Sequence, residues 1–169
     1  MTKAEIDATE MIFHLQETRK HVQRVQTFMF AFAKAIIDRA MEHDGTKFEN
    51  DEASAFAKTT PKLRGLTYGS EEYKSVLREL GPALAHHYQW NSHHPEHYED
   101  SISGMDMLDI VEMLCDWRAA TERHNDGSIT RSIAHNATRW SIDGQLVRIF
   151  HNTVPWMENV SKDKTNGRR

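Results

Sequence analysis

The chain has 169 residues and carries 25 acidic against 21 basic side chains, a formal net charge of −4; that length suits one domain with a full core, and that balance disfavours a protein held to nucleic acid by a broad basic surface. A single cysteine, Cys115, excludes an internal disulfide framework and any cysteine-rich zinc module, which fits a reducing, cytoplasmic setting. No apolar run approaches the ~20 residues that span a bilayer, and the polar start MTKAEIDATE lacks a signal-peptide core, so no membrane contact is expected.

From residue 8 to residue 42 no Gly or Pro interrupts the chain, and Val22, Val25, Met29, Phe32 and Ile36 recur at three- and four-residue steps. This predicts one long helix, or two with a tight join, whose apolar stripe faces a core. Seven residues beyond Ile36 the stripe reaches His43, which puts that imidazole on the core-facing side, and Gly45 ends the element. Residues 50–58 read as a short helix and 59–69 as a loop marked by Pro61 and Gly65. Residues 70–80 read as a helix whose Ser70, Glu71 and Glu72 suit its N-terminal end. Gly81-Pro82 breaks the chain, and Pro82 suits the first turn of a helix carrying Ala83, Leu84, His87 and Tyr88. Residues 90–104, with Pro95 and Gly104, read as a loop rich in ligand-type side chains.

Residues 105–123 form the second strong helix, with Leu108, Val111, Met113 or Leu114, and Trp117 at helical spacing. Asn125-Asp126-Gly127 ends it, residues 128–140 and 145–157 give two further helices, and 161–169 read as a disordered tail. With no strand-like alternation and no internal repeat, the expected fold is all-α, one helical domain over residues 1–160. Trp140, Trp156 and the last helix are candidates for a homo-oligomer contact, with core packing the commoner role for such residues.

Eleven histidines are the compositional outlier, and five of them fall between His86 and His97, interleaved with Tyr88, Trp90, Asn91 and Pro95 rather than run together as in a tag. Three elements therefore offer metal ligands: the His43-Asp44 corner, the stretch from His86-His87 to His97, and Asp116. Imidazole and carboxylate without thiolate suit Mn, Fe, Co, Zn or Mg in a catalytic type of site rather than a structural zinc. Adjacent histidines in a helix point about 100° apart, so only one of His86 and His87 heads into a given site, leaving the other for a second metal or the substrate. Asp116 sits between Met113 or Leu114 and Trp117, where an unpaired carboxylate is costly; a partner is expected, and a metal is one candidate. Taken singly, a buried histidine is more often a hydrogen-bonded core residue, and Lys47 a solvated lysine. His124, His135 and His151 receive only that plain reading.

His21-x-x-x-Val25, His43-Asp44-x-x-Lys47, His86-His87 and Asp116-Trp117-Arg118-Ala119-Ala120 resemble the ordered motifs of the HD superfamily of metal-dependent phosphohydrolases. Over nearly its whole length the chain also resembles an uncharacterised family of tailed-phage and bacterial proteins, through HDGTKF, HHYQWNSHHPEHYE and MDMLDIVEMLCDWRAA. The superfamily resemblance implies an HD-like helical bundle holding one or more divalent metals on His21, His43, Asp44 and Asp116. In a binuclear site His87 and His94 would join them, with His86 and His93 as near alternatives. In a straight helix, however, His21 and His43 stand ~33 Å apart. His21 reaches the metal only if the helix folds back near residues 30–33.

The resemblance further implies a phosphohydrolase acting on a small phosphorylated substrate, a nucleotide or a nucleotide-derived signal, in the cytoplasm, or in the host cytoplasm for a phage-encoded chain. The cation would acidify water, while Lys47, His86 and His93 would neutralise phosphate charge. One rival keeps the fold and the metal without turnover, as a phage accessory protein that sequesters a nucleotide or contacts a host protein. Another is a purely structural domain whose histidines form a hydrogen-bonded network.

Overall fold

A computed structural model of the chain describes residues 8–67, 70–123 and 127–166. The polar start over residues 1–7, Gly69, His124, the Asn125-Asp126 part of the expected stop signal and the last three residues of the expected tail lie outside the described residues. The fold is all-α, and no strand occurs among the described residues. No helix is long and apolar enough to cross a membrane.

By their internal contacts residues 1–41 and 42–169 form two compact units. The described residues of the first all lie in the helix α1 (Ala8–Glu42), whose last residue falls in the second unit and which runs without a break through residues 30–33. The fold-back that would carry His21 toward His43 therefore does not form, because no Gly or Pro interrupts the helical hydrogen bonding there. None of the residues of α1 is buried. The stripe from Val22 to Ile36, expected to face a core, finds none in its own unit.

The second unit opens with a reversal at Asp44, whose φ of 56° lies in the left-handed region. Asp tolerates that conformation better than most residues because its short polar side chain can bond locally. The turn thus falls on a candidate ligand and not on Gly45. A 3-10 turn at Gly45–Phe48 leads into α2 (Asn50–Leu63). This helix continues through the segment expected to be a loop: Thr59 is buried and its hydroxyl donates to the Ala55 carbonyl at 3.0 Å. Pro61 leaves the carbonyl four residues earlier, on Ala57, without its helical donor, and Ala57 is exposed to solvent.

In α3 (Glu71–Leu80) the Ser70 hydroxyl accepts the Tyr73 amide at 3.1 Å, and Gly81, at φ 46°, ends the helix. Pro82 then opens α4 (Pro82–Trp90) at a position that needs no amide donor. Two short 3-10 turns, Pro95–His97 and Ser101–Gly104, occupy the expected loop. In α5 (Met107–Thr121) Asp106 and Asp109 form a reciprocal capping box. Ser128 caps α6 (Ile129–Arg139) by accepting the Arg131 amide at 3.3 Å.

The last helix, α7 (Gly144–Asn166), extends nine residues past its expected end and through Pro155. An internal proline costs about 3 kcal/mol. Val154 and Met157, buried on either side of it, return roughly 1.5–3 kcal/mol each, so the helix persists into what was read as tail. The apolar core joins α5, α6 and α7 through Met113, Leu114, Ile129, Ile133, Phe150 and Val154, with Trp117 edge-on to Phe150 at 5.9 Å. Trp156, a candidate contact residue, is exposed. On the other side α2, α3 and α4 pack together, burying Val76, Leu80 and Ala83.

Candidate metal centre

Four segments of the second unit meet around one carboxylate. Asp44 Oδ1 lies 3.2 Å from His87 Nε2 and 3.6 Å from His93 Nε2. Asp44 Oδ2 lies 3.5 Å from His43 Nε2, which is in turn 3.9 Å from Asp116 Oδ1. His94 Nε2 stands 2.9 Å from His87 Nε2. Bonds of 2.0–2.1 Å to a tetrahedral ion separate neighbouring ligand atoms by ~3.4 Å. The distances around Asp44 fall about that value, and its two oxygens face two adjoining sets: His87, His93 and His94 on one side, His43 and Asp116 on the other.

The far nitrogens of these rings explain their orientation. Glu52, fully buried, takes a hydrogen bond from His87 Nδ1 at 2.9 Å and another from His86 Nδ1 at 2.8 Å. Glu112 Oε1 plays the same part for His43 Nδ1 at 2.8 Å and His93 Nδ1 at 3.1 Å. A proton held on Nδ1 leaves the neutral ring's Nε2 with a lone pair. Three Nε2 lone pairs are thereby aimed at a carboxylate, an arrangement that repels unless a cation lies among them. Asp44 Oδ1 and His93 Nε2 are buried and make no hydrogen bond, a costly condition that a metal ion would relieve.

The protonation states agree with this chemistry. Burial works against ionisation of Asp44, yet the Lys47 ammonium paired with it holds the carboxyl well below the usual carboxylate range. Burial also opposes ionisation of Glu52, while hydrogen bonds from His86, Thr46 and His87 keep it lower than an ordinary glutamate. His94, half-buried, is pushed down to about 2 by desolvation and by the neighbouring His93 and His87, and stays a neutral imidazole, the form that ligates metals. The hydrogen bond to Glu112 raises His43 against the effect of burial.

The histidine-rich loop is fastened to the start of α5. Ser92 Oγ and Tyr98 OH donate to the two oxygens of buried Asp109, at 2.6 and 2.7 Å, and Asp109 also accepts the Asp106 amide at 3.0 Å. Burial and this contact push the Tyr98 phenol up to about 12. Gly104 passes so close under Tyr98 that a Cβ there would lie 2.8 Å from the Tyr98 Cβ. Asn91 Nδ2 donates to Thr46 Oγ1 at 2.9 Å and to the His87 carbonyl at 2.8 Å, joining α4 to the turn after Asp44.

Of the residues singled out in the sequence, the structure brings together His43, Asp44, His87, His93, His94 and Asp116. His21 lies in α1, is exposed, and joins none of the candidate ligand groups among the described residues. His86 sits behind His87, sharing Glu52 with it. His93, expected to meet substrate, is buried with its Nε2 toward Asp44. Lys47 turns inward, its Nζ 2.5 Å from Asp44 Oδ2 and 5.3 Å from the Phe56 ring centroid. Glu52 and Glu112 were missed. Glu112 lies one helical turn before Asp116 and so faces the same way, a signal the sequence did carry.

No curated protein and no solved structure matches the chain. A family model described as a family of unknown function matches residues 10–162, a span that includes α2 to α6 and every residue of the centre. The chain therefore belongs to this family, DUF5662.

Proposed function

We propose that the chain is a divalent-metal-dependent phosphohydrolase whose ion is held by Asp44 with His43, His87, His93, His94 and Asp116. The observation that supports it most is the convergence of three Nε2 atoms on the Asp44 carboxylate, with Asp44 Oδ1 and His93 Nε2 buried and without hydrogen bonds. A bound cation would supply Lewis acidity and acidify water. The protein's own residues then divide the remaining work: Glu52 and Glu112 fix the imidazole tautomers, and Lys47, about a third exposed, is placed to meet an anionic group arriving beside Asp44.

The resemblance of His43-Asp44-x-x-Lys47 and Asp116 to the HD motifs supports a phosphate ester or anhydride as substrate, with a nucleotide as the small-molecule class. The Lys47–Asp44 ion pair supports a second reading, in which the ammonium takes one side of the carboxylate and the metal centre binds without turnover. Elemental analysis of untagged protein, followed by phosphate or nucleoside release from a nucleotide panel with Mn, Mg, Co and Zn, separates the two. A metal-loaded protein that releases nothing from any compound leaves the second reading in place; a protein that takes up no metal overturns both.

A further inference from the structure

The two sets of side chains that share Asp44 are chemically unlike. On the inner, Oδ1 side stand three imidazoles, His87, His93 and His94, whose ligand atoms lie with that of Asp44 within 4.8 Å of one another. His87 is 1% and His93 2% exposed, and the Nδ1 of each rests on a carboxylate, Glu52 at 2.9 Å and Glu112 at 3.1 Å. On the outer, Oδ2 side stand one imidazole and one carboxylate, His43 and Asp116, 31% and 26% exposed. Their gap of 3.9 Å is wider than the ~3.4 Å between neighbouring ligands of a tetrahedral ion. The two oxygens of Asp44 also differ in what already satisfies them. Oδ2 accepts from the Lys47 ammonium at 2.5 Å, so a cation of the chain's own stands on the outer side. Oδ1 is buried without a hydrogen bond, and so is His93 Nε2, which points to it from 3.6 Å. Both of these costly orphans belong to the inner set.

We infer that the inner set, His87, His93, His94 and Asp44 Oδ1, is the tight seat of the centre and selects a transition-metal ion over Mg or Ca. Lys47 stands in for a cation on the outer set, so a further ion binds there only by displacing the ammonium. The inference rests on the metal centre proposed above. It departs from the ligand set that the sequence resemblance implies, His21, His43, Asp44 and Asp116, of which the tight seat keeps Asp44 alone. Three neutral nitrogens and one anionic oxygen suit Zn, Co, Ni or Fe. Mg demands an octahedral shell and gives up its water reluctantly, and Ca takes six to eight oxygens, neither of which a nearly dry pocket of imidazoles offers. The outer set has one nitrogen, more water and a competitor already in place, so its hold is the looser of the two.

The test is a Co(II) titration of the untagged full-length chain, followed by visible absorption and by calorimetry, with Zn and Mg as competitors. Four-coordinate Co(II) absorbs far more strongly than the six-coordinate ion, so filling of the inner seat is read as an intense band. The expected result is a tight first equivalent that carries this band and yields to Zn but not to a large excess of Mg, then a weaker equivalent. His94→Gln should abolish the band. Asp116→Asn should keep it and lose only the weaker equivalent, and Lys47→Ala should tighten that equivalent about tenfold, the worth of one charge-assisted hydrogen bond. Circular dichroism of each variant separates a lost ligand from a lost fold, and His93→Gln takes the place of His94→Gln if that chain unfolds. A band lost in Asp116→Asn but kept in His94→Gln overturns the inference while leaving a metal centre in place. So does a first equivalent displaced by Mg, or a weaker one indifferent to Lys47→Ala. A wild-type chain that takes up no Co(II) or Zn overturns the centre itself.

Discussion

Glu52 Oε2 and His87 Nδ1 lie 2.9 Å apart, both side chains buried, so the proton between them holds the opposite nitrogen of His87 toward Asp44. Glu52→Gln keeps the shape of this contact and removes its charge. It should weaken metal binding 10–100-fold, the usual loss when a carboxylate behind a ligating histidine is removed, with helical content retained. Competition against a chromophoric chelator measures it. Unchanged affinity would mean that His87 needs no such support. Glu112→Gln, which loosens His43 and His93 together, should do at least as much.

Metal removal should lower thermal stability. A ligand bound only by the folded chain at a hundred times its Kd stabilises it by about 2.7 kcal/mol, and in a chain of this size that shifts Tm by roughly 5–10 °C. Melting curves in chelator and in added Mn or Zn check it, and coincident curves would remove the case for a bound cation.

Asp116→Asn tests the weaker side of the centre. Its oxygen stands 3.9 Å from His43 Nε2 and the side chain is partly exposed, so the substitution should reduce metal occupancy without disturbing the core on the other face of α5. Full occupancy in the variant assigns Asp116 to a structural network.

Lys47→Ala should keep the metal and lose turnover by on the order of 10²-fold, the typical effect of removing one charged contact to a developing phosphate charge. Loss of the metal itself would show that the Lys47–Asp44 pair holds the carboxylate in place.

The metal-free protein should lose stability as pH falls below about 6.5. His94 has a depressed folded value, so below 6.5 the unfolded chain takes up a proton that the folded chain refuses, at a slope of up to about 1.4 kcal/mol per pH unit. His43 acts in the opposite sense: its raised value gives stability that is complete below 6.5 and is lost as pH rises through the folded value. Chemical denaturation from pH 5 to pH 8 measures the sum. His94→Gln should remove the acid-side loss alone, and an unchanged profile would show that His94 is not held neutral.

Helical periodicity made α1, α5 and the all-α class legible; the His43-Asp44 corner stood out because it continues the apolar stripe of α1, and Asp116 because Trp117 and Met113 or Leu114 flank it. Periodicity could not say what α1 packs on, since a core stripe and an oligomer seam repeat at nearly the same spacing. Nor could it choose between His86 and His87: their ~100° separation predicts that one turns inward, but only the placement of Glu52 shows which. Glu52 left no trace in the pattern, because its partners His86 and His87 lie 34 and 35 residues away. Pro61 was read as a break because the flanking burial that overrides it, at Thr59, is a tertiary effect.

The clamp of Ser92 and Tyr98 on Asp109 bears on how fast the centre can fill. Those bonds are made without an ion, so the conformational entropy of the His93-His94 segment would be lost during folding and not at binding. Uptake of an ion would then have no loop rearrangement to wait for, and its rate would be governed by how readily the ion sheds its own water. A chain with Asp109 replaced would fill its centre through a slower second phase, as the loop and the ion order each other.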